Sequence, residues 1–464
     1  MPVLIPDLLY RDGAFHDGLA LEYDERTGRI TRVADQHELT GPDAMRMTGR
    51  ALMPGFVNAH SHAFQRLIRG RTQWQPAEAA VSDFWTWRRA MYDAALRLGP
   101  DEIYDVSRYC FVEMLRAGIT AVGEFHYLHN DERGVPYADR AELARRVIAA
   151  AEDAGIRICL LNVCYAAGGI GQSLEPEQRR FATHVLDEYV DTTEALADAA
   201  QGSALVSVGV APHSIRAVPR EWLRMLHAWA VARDLPLHMH ASEQRAEVDA
   251  CLEAYGVRPV EMLAEDQILD DRFTGVHCTH IDDREVELLA TSGAVVCACP
   301  TTERDLGDGF LRAADLLGAG GTIALGSDSQ TVIDMLEEAR LAEYMERLRL
   351  SRRAVLTRAA GDRLEVAPVL LQMATSSGAR SLRLAAGALE PGALADICAV
   401  DLEHRALAGW SARSLSALIA MTAPTDVVAD VWVGGRRVVA QRVHGAQDDA
   451  MHGFVRAARR VISP

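Results

Sequence analysis

The sequence predicts an α/β fold: a (β/α)8 barrel of the TIM type with a small β-sandwich domain built from both chain ends. The middle of the chain alternates strand-like and helical runs, and eight such units are the number that closes a barrel instead of an open sheet. Short strands with alternating apolar and polar residues occur at both ends, and neither group is large enough to form a domain alone. The two ends are therefore expected to share one small domain.

The domain boundaries follow this pattern. Residues 1–52 are expected to form the N-terminal part of the small domain, residues 53–385 the barrel, and residues 386–464 the C-terminal part of the small domain with a terminal helix. Two hairpin signals support the outer parts: an alternating run before and after Asp24-Glu25-Arg26-Thr27, and a Gly434-Gly435 turn.

The terminal helix has an apolar side that contains Met451, Phe454 and Val455. We expect this side either to dock on the barrel or to join subunits. Because barrels of this type commonly pair, we expect a homodimer.

The predicted barrel strands are short and apolar, and helical stretches follow nearly all of them. The eight candidates are 51–58, 119–125, 157–165, 205–212, 235–241, 273–279, 294–299 and 322–327. One of the helices, 101–117, has apolar residues at helical spacing and Gly118 just beyond its end. Since active sites of such barrels lie at the carboxyl ends of the strands, polar residues are expected to concentrate there.

Histidines do concentrate at the strand ends. The first strand ends in His60 and His62, and side chains two residues apart in a strand point the same way, so both imidazoles can converge on one point. The later strand ends carry Glu124, His126 and Tyr127; His213 and Arg216; His238, His240 and Glu243; His277 and His280; and Asp328. This set indicates one functional site at one rim of the barrel.

We assign a metal centre to this rim, with His60, His62, His240 and Asp328 as its ligands. Three nitrogens and a carboxylate leave a position open for water, and a bound divalent ion lowers the pKa of that water towards 7. One ion is expected, with Zn²⁺ favoured, and Fe²⁺ also suits these ligands. No lysine stands beside His213 to bridge a second ion.

The composition indicates which kinds of partner the protein binds and where in the cell it is expected. The 464 residues carry a formal net charge of −17, which argues against nucleic acid and anionic membranes and favours a small-molecule substrate. The eight cysteines show no CxxC pairing, as expected of reduced thiols. Neither an export leader nor a membrane-spanning run is apparent. We therefore expect a cytoplasmic enzyme.

Several motifs resemble one family. The His-x-His after a Pro-Gly-Phe-Val-Asn run, the later His-x-x-Glu and the Gly-Ser-Asp resemble the amidohydrolase superfamily in its mononuclear deaminase branch. The motifs similar to the formimidoylglutamate deiminase subgroup are His60-Ser-His-Ala-Phe-Gln65, Phe84-Trp-Thr-Trp-Arg88, Glu124-Phe-His-Tyr127, His213-Ser-Ile-Arg216, His240-Ala-Ser-Glu243 and Leu306-Gly-Asp-Gly309. One departure is Cys299-Pro300-Thr301, where a serine is expected before Thr302-Glu303, so the shape of the wall at strand 7 stays open.

The resemblance implies metal-dependent hydrolytic deimination of N-formimino-L-glutamate to N-formyl-L-glutamate and ammonia, a step of histidine degradation. In this hypothesis Asp328 and His277 handle the proton taken from water. Glu243 protonates the imino nitrogen so that ammonia leaves. The substrate is a linear amidine with two carboxylates, and an acidic chain must supply local cations to hold them.

Two arginines fit that requirement. Arg88 and Arg216 can each offer a planar fork to a carboxylate, and Arg89 is kept as an alternative to Arg88. The expected substrate-binding residues are Gln65, Arg88, Tyr127, His213 and Arg216.

Two other functions stay open. The same scaffold deaminates guanine-like rings or dechlorinates triazines, and those sites call for aromatic and amide groups instead of two arginines. A barrel without metal can also serve as a binding or scaffold protein, although such a descendant has no chemical reason to keep four ligands together with Glu243 and His277. His238 is expected to be a buried supporting histidine, and the roles of His126 and His280 are left undecided.

Overall fold

Strands from the N-terminal end build half of a small sheet. A computed structural model describes residues 1–39, 41, 44–74 and 84–462. Its first strands are β1 Val3–Arg11, β2 Ala14–His16, β3 Leu19–Asp24, β4 Arg29–Asp35 and β5 Ala44–Pro54. The predicted hairpin is present, because β3 and β4 pair antiparallel on either side of the turn.

The barrel comes next in the chain. Its strands are β6 Phe56–Ser61, β7 Ile119–His126, β8 Arg157–Cys164, β9 Val206–Pro212, β10 Leu237–Ala241, β11 Phe273–His277, β12 Val295–Ala298 and β13 Thr322–Leu325. Each pairs in parallel with its neighbour in sequence. The sheet closes at its rim, where the Asp328 amide donates to the His60 carbonyl (3.0 Å) and the His62 amide donates to the Asp328 carbonyl (3.0 Å). The predicted barrel is thus confirmed.

Strands from the C-terminal end complete the small domain. After a short hairpin, β14 Arg358–Ala360 and β15 Arg363–Glu365, come β16 Ile397–Asp401, β17 Val428–Val433, β18 Arg436–Ala440 and β19 Val443–His444. Strand β16 pairs with β5, so the two chain ends form one sheet of nine strands, separate from the barrel. The Gly434-Gly435 turn joins β17 to β18, and both glycines have positive φ, as this tight hairpin requires.

Helices cover the barrel. They are α1 Phe84–Ala95, α2 Pro100–Arg116, α3 Glu142–Ala154, α4 Leu186–Ala200, α5 Arg220–Arg233, α6 Arg245–Tyr255, α7 Pro259–Glu265, α8 Asp283–Ser292, α9 Pro300–Leu306, α10 Ala313–Gly318, α11 Met335–Leu350, α12 Ala367–Met373, α13 Ser376–Ser381, α14 Leu415–Thr422 and α15 Gln447–Ile462. Helix α2 ends as predicted, with Gly118 at φ 83°. Among the described residues, none of the helices combines the length and apolar character that crossing a membrane requires.

One predicted strand is in fact two. The apolar run 51–58 divides at Gly55: the part up to Pro54 belongs to β5 of the small sheet, and the part from Phe56 belongs to β6 of the barrel. A Cβ at Gly55 would lie 2.3 Å from the Thr120 side chain, so only glycine fits at the crossing. The prediction merged the two strands because both are fully buried and show no change in apolar pattern there.

The terminal helix docks on the barrel, which was one of the two predicted alternatives, but only part of the predicted apolar side takes part; that the rest of this side joins subunits stays a prediction. Helix α15 docks on α2 through Ala450, Gly453, Ala457 and Val461, whereas Met451 and Val455 are exposed. A Cβ at Gly453 would lie 2.6 Å from Asp105 Oδ1, so the two helices approach too closely for large side chains. Of the three predicted residues, Phe454 alone packs inwards, with its ring centroid 4.5 Å from that of Tyr109.

A buried ion pair joins the two domains. Arg157, at the start of β8, donates from Nε and Nη2 to both oxygens of Asp396, which precedes β16 (2.9 Å each). Both side chains are almost fully buried. All eight cysteines are free and buried, as the sequence indicated.

Candidate active site

Four side chains meet at the rim where the barrel closes. His60 lies on β6 and His62 directly follows it, His240 lies on β10, and Asp328 follows β13. One ligand atom from each lies within 4.8 Å of every other. His60 Nε2 and His62 Nε2 are 3.1 Å apart, and Asp328 Oδ1 lies 3.5 Å and 3.3 Å from them. The structure therefore brings the predicted quartet together as a metal site. All four side chains are buried.

The rings are oriented by their second nitrogens. His62 Nδ1 donates to the Phe125 carbonyl (2.9 Å), and His240 Nδ1 donates to the His213 carbonyl (3.0 Å). Each of these rings therefore presents Nε2 as an acceptor at the centre, where neutral nitrogens face one another. His60 Nε2 lies 3.1 Å from His62 Nε2, and His60 Nδ1 is buried without a hydrogen-bond partner among the described residues. Three imidazoles and one carboxylate in this arrangement form a donor set that fits a divalent ion.

The electrostatics of the quartet also suit a metal. Burial lowers the pKa of His60 to about 3 and also lowers that of His62, so both rings are neutral. Burial opposes ionisation of Asp328, but its contacts with His60, His277 and His62 outweigh this and lower its pKa. Metal ligands must be deprotonated, and this environment keeps them so at neutral pH.

The backbone at two strand ends is in an unusual conformation. His277 has a φ of 71° and Asp328 a φ of 45°, values that non-glycine residues seldom adopt. Such conformations cost free energy and occur mostly at functional sites. Both side chains line the pocket above the quartet.

The predicted proton-transfer residues lie beside the quartet. His277 Nε2 is 3.9 Å from Glu243 Oε1 and 3.8 Å from Asp328 Oδ2. Behind the ring, Glu303 Oε1 lies 3.3 Å from His277 Nδ1. Burial acts to lower the pKa of His277, but Glu303, Glu243 and Asp328 outweigh it and raise the pKa to about 10. His277 thus sits among three carboxylates and can hold a proton.

Arg216 is engaged by two carboxylates. Its Nη2 donates to Glu243 Oε2 (3.2 Å), and its Nε donates to Glu247 Oε2 (2.8 Å). Glu247 is itself fully buried and accepts a hydrogen bond from the Ser242 amide (2.8 Å). Arg216 therefore orients Glu243 by a hydrogen bond. It also lines the pocket.

Arg88 and Arg89 occupy different places. Arg88, on α1, lines both the inner pocket and a larger outer cleft, whereas Arg89 lines the outer cleft alone. Arg88 donates to the hydroxyl groups of Tyr92 and Tyr165. Among the described residues, Arg88 pairs with no carboxylate. Of the two arginines, Arg88 is the one placed to meet an anion in the inner pocket.

The remaining predicted substrate-binding residues also line the inner pocket. Gln65 Nε2 donates to the Tyr127 hydroxyl (2.8 Å), while Gln65 Oε1 is buried without a hydrogen-bond partner among the described residues. His213 lies with its ring centroid 4.6 Å from that of Tyr165. The structure thus brings Gln65, Tyr127 and His213 to one cavity, and their roles remain predictions.

The other rim histidines lie away from the quartet. His238 is buried and its Nε2 donates to the Ser381 carbonyl (2.8 Å), so it joins β10 to α13. The ring of His126 packs against that of His129, with centroids 5.7 Å apart. His280 is half-buried beyond β11. Among the described residues, none of these three lines the inner pocket.

Several residues that contact the site were not predicted from the sequence, among them three polar side chains. Glu303 and Glu247 touch predicted site residues, and Tyr165 lines the pocket, yet none of them had been selected. Glu303 and Glu247 lie on helices that follow strand ends, where charged residues are ordinarily solvent-exposed. Their complete burial is the only signal, and it belongs to the tertiary structure.

A closed α/β barrel with three histidines and an aspartate at its carboxyl rim defines a metal-dependent barrel protein. The amidohydrolase family model matches residues 51–438. The chain belongs to the amidohydrolase family, which confirms the predicted resemblance and identifies it as a hydrolase.

Relatives within the family differ in activity. The chain is 39% identical to formimidoylglutamate deiminase of Pseudomonas aeruginosa over 421 residues, which cover 90% of this chain and 91% of that protein. It is 31% identical to a 5-methylthioadenosine/S-adenosylhomocysteine deaminase of Haloarcula marismortui, with coverage of 81% and 79%. The crystal structure of an amidohydrolase from Brucella melitensis superimposes with a TM-score of 0.91 at 33% identity and covers both chains completely.

Proposed function

We propose that this protein hydrolyses N-formimino-L-glutamate to N-formyl-L-glutamate and ammonia. The observation that carries the proposal is the position of Arg88, which shares the inner pocket with the metal quartet and pairs with no carboxylate among the described residues. A linear substrate with an amidine at one end and carboxylates at the other matches a pocket with a metal at one side and a guanidinium at another.

The metal quartet would hold the ion that activates the nucleophile. A divalent ion held by His60, His62, His240 and Asp328 would act as a Lewis acid and activate a water molecule at neutral pH. Zinc suits three imidazoles and one carboxylate, and ferrous iron suits them also. The ligands themselves come from strand ends of a rigid barrel, so little reorganisation is needed during turnover.

The neighbouring residues form a short proton path. His277 Nε2 faces both Asp328 Oδ2 (3.8 Å) and Glu243 Oε1 (3.9 Å). A proton taken from water can therefore pass from Asp328 through His277 to Glu243. Glu243, oriented by Arg216, then delivers a proton to the imino nitrogen, and ammonia leaves. The reaction is balanced, because one water is added and one ammonia is released.

Substrate selection in this proposal depends on the cations. Arg88 holds one substrate carboxylate, and the neutral donors Gln65 and Tyr127 hold polar atoms nearer the metal. The charge of Arg216 is already shared with Glu243 and Glu247, so Arg88 is the principal anion-binding group. The similarity to the Pseudomonas aeruginosa formimidoylglutamate deiminase supports this substrate over others.

A ring deaminase is the alternative, because a deaminase of methylthioadenosine is also among the relatives. The guanidinium of Arg88 would have no anionic partner in 5-methylthioadenosine, but S-adenosylhomocysteine would offer it one carboxylate. We prefer the dicarboxylate because the identity to the formimidoylglutamate deiminase is higher, 39% against 31%. A homodimer, a cytoplasmic location and a place in histidine degradation stay predictions.

A product assay tests the proposal. Purified enzyme is supplied with N-formimino-L-glutamate, and ammonia, N-formylglutamate, formamide and glutamate are all quantified. We expect ammonia and N-formylglutamate in equal amounts, with neither formamide nor glutamate. Guanine and 5-methylthioadenosine serve as competing substrates, and faster ammonia release from either of them would contradict the proposal.

A further inference from the structure

A second group of metal-ligating side chains lies next to the quartet. His277, Cys299 and Asp328 each place a ligand atom within 4.8 Å of the other two, and all three side chains are buried. Cys299 has no part in the proposed reaction. The proposed reaction therefore does not explain why Cys299 lies beside His277 and Asp328.

Asp328 belongs to both groups, but with different oxygens. Its Oδ1 faces the quartet, 3.5 Å from His60 Nε2 and 3.3 Å from His62 Nε2. Its Oδ2 faces His277 Nε2 at 3.8 Å. A carboxylate that presents its two oxygens to two sets of donors can bridge two cations.

His277 has only one nitrogen to offer. Its Nδ1 is engaged by Glu303 Oε1 at 3.3 Å, so the ring is fixed with Nε2 towards Asp328. Metal-binding histidines are commonly oriented by a carboxylate on the second nitrogen in this way. The geometry of His277 is thus that of a ligand as well as that of a proton carrier.

Cys299 supplies the third donor because its surroundings leave room for sulfur. It follows β12, and its amide donates to Glu303 Oε1 (2.8 Å), so the same glutamate anchors both His277 and Cys299. Just beyond the neighbouring strand β13, a Cβ at Gly326 would lie 3.0 Å from Cys299 Sγ. The absence of a side chain at Gly326 therefore allows the thiol its place beside the quartet.

We infer that Cys299, His277 and Asp328 form a second, inhibitory site for a soft divalent cation such as Cd²⁺ or excess Zn²⁺. Thiolate, imidazole and carboxylate together favour such ions. On binding, the ion bonds to Cys299 Sγ and His277 Nε2, and both the thiol proton and the proton that His277 holds on Nε2 pass to solvent. His277 and Asp328 line the inner pocket, so an ion in the pocket meets these two donors directly.

Occupation of this site blocks the proton path. The ion takes up His277 Nε2 and Asp328 Oδ2, the two atoms between which the proton passes; this consequence for turnover rests on the proposed function. The sequence argued against a second ion because no lysine is available on strand 4. Cys299, which follows strand 7, provides an anionic donor instead. It lies in Cys299-Pro300-Thr301, the segment where the sequence departs from the family motif.

The experiment titrates the metal-loaded enzyme with Cd²⁺ and measures bound ions by equilibrium dialysis with elemental analysis. We expect one Cd²⁺ per chain beyond the resident ion, an ultraviolet thiolate-to-cadmium absorption band, and a parallel fall in turnover. Cys299→Ser should lose the band and bind the second ion about 100-fold more weakly or worse, by analogy with the loss of metal-site groups. Its rate with Cd²⁺, relative to its own rate without Cd²⁺, should stay near one.

The matched control is Cys159→Ser. Cys159 is a buried free thiol on β8 and does not belong to the metal-ligating group. We expect it to behave like the wild type. His277→Gln gives an independent test if the Cys299 variant does not fold, because it should lose the second ion and keep the first.

Two results would overturn the inference: a wild-type chain that binds no second Cd²⁺, or a Cys299→Ser chain that keeps the second ion and the absorption band. Stoichiometry and absorbance are read without substrate. If the enzyme were inactive on N-formimino-L-glutamate, the proposed function would be contradicted. The second metal site would still be tested by the binding measurements.

Discussion

Glu303 lies directly behind His277, with its Oε1 3.3 Å from Nδ1 of the ring, while Nε2 on the other side faces Glu243 and Asp328. The carboxylate is buried and also accepts a hydrogen bond from the Cys299 amide. Glu303 is thus a positioning residue, which acts on the reaction through His277.

Replacing this carboxylate should slow turnover and change its pH dependence. Glu303, Glu243 and Asp328 together raise the pKa of His277 to about 10 against the effect of burial. Glu303→Gln keeps the shape and removes one negative charge, so the pH limb due to His277 should move to lower pH. We expect kcat to fall about 10- to 100-fold. The measurement is a kcat profile against pH.

The control for this variant is Glu338→Gln. Glu338 is an equally buried carboxylate that contacts Thr301 on the same short helix and does not touch His277. Its profile should keep the wild-type shape. If both variants lose activity with unshifted profiles, Glu303 has only a structural role.

Glu243→Gln should abolish proton delivery and keep the metal. Glu243 lies beside His277 but outside the ligand quartet. General acid catalysis contributes about 10²- to 10⁴-fold, so kcat should fall by that factor. Ammonia release and metal content are measured together, with Glu253→Gln in the outer cleft as the control. Unchanged turnover would remove Glu243 from the proton path.

Arg88 and Arg89 should differ sharply when each is changed to methionine. Arg88 lines the inner pocket and Arg89 lines the outer cleft alone. A charged hydrogen bond is worth about 1.5–3 kcal/mol, so Arg88→Met should lower kcat/KM for the dicarboxylate about 10- to 150-fold. Arg89→Met should change it little. Steady-state kinetics of both variants decide the question, and the reverse order would assign the role to Arg89.

Asp334 should make stability depend on pH. Its carboxylate caps α11 by accepting hydrogen bonds from the amides of Leu336 (2.9 Å) and Glu337 (3.0 Å), and burial raises its pKa from 3.8 to about 6. The folded chain therefore holds this proton more tightly than the unfolded chain. Its contribution to stability is present below about pH 4 and is lost as the pH rises through about 6.

Asparagine cannot ionise and still caps a helix. The free energy of unfolding of Asp334→Asn, relative to the wild type, should therefore increase between about pH 4 and pH 7, by at most about 3 kcal/mol. Urea unfolding at the two pH values measures it. A difference from the wild type that is the same at both values would show that Asp334 does not titrate in this range.

The buried pair of Arg157 and Asp396 should be essential for joining the domains. Asp396→Asn leaves a buried guanidinium without its charged partner, which costs about 3–5 kcal/mol. The control is Asp234→Asn, because Asp234 pairs with Arg272 and Arg383 at the surface and should contribute little. Equal losses of unfolding free energy in urea would contradict the expected importance of burial.

Much of the site could be predicted from short-range pattern. His60 and His62 converge because alternate side chains of one strand share a face, and the positions of His240, His277 and Asp328 follow from their place at strand ends. Contacts between helices could not be predicted in this way. The side of α15 that packs is set by the close approach of Asp105 to Gly453, and an apolar stripe in the sequence pointed elsewhere.

By itself, then, the sequence determined the fold class, most of the barrel strands and the four side chains that meet at the rim as candidate metal ligands, because these depend on periodicities of two and of about 3.6 residues that are written along the chain. Only the tertiary structure decided that the strand after Gly55 starts a new sheet, that Glu303 supports His277, and that the two oxygens of Asp328 face different donors. Such relationships depend on distances between segments remote in sequence, and those distances exist only once the barrel has closed.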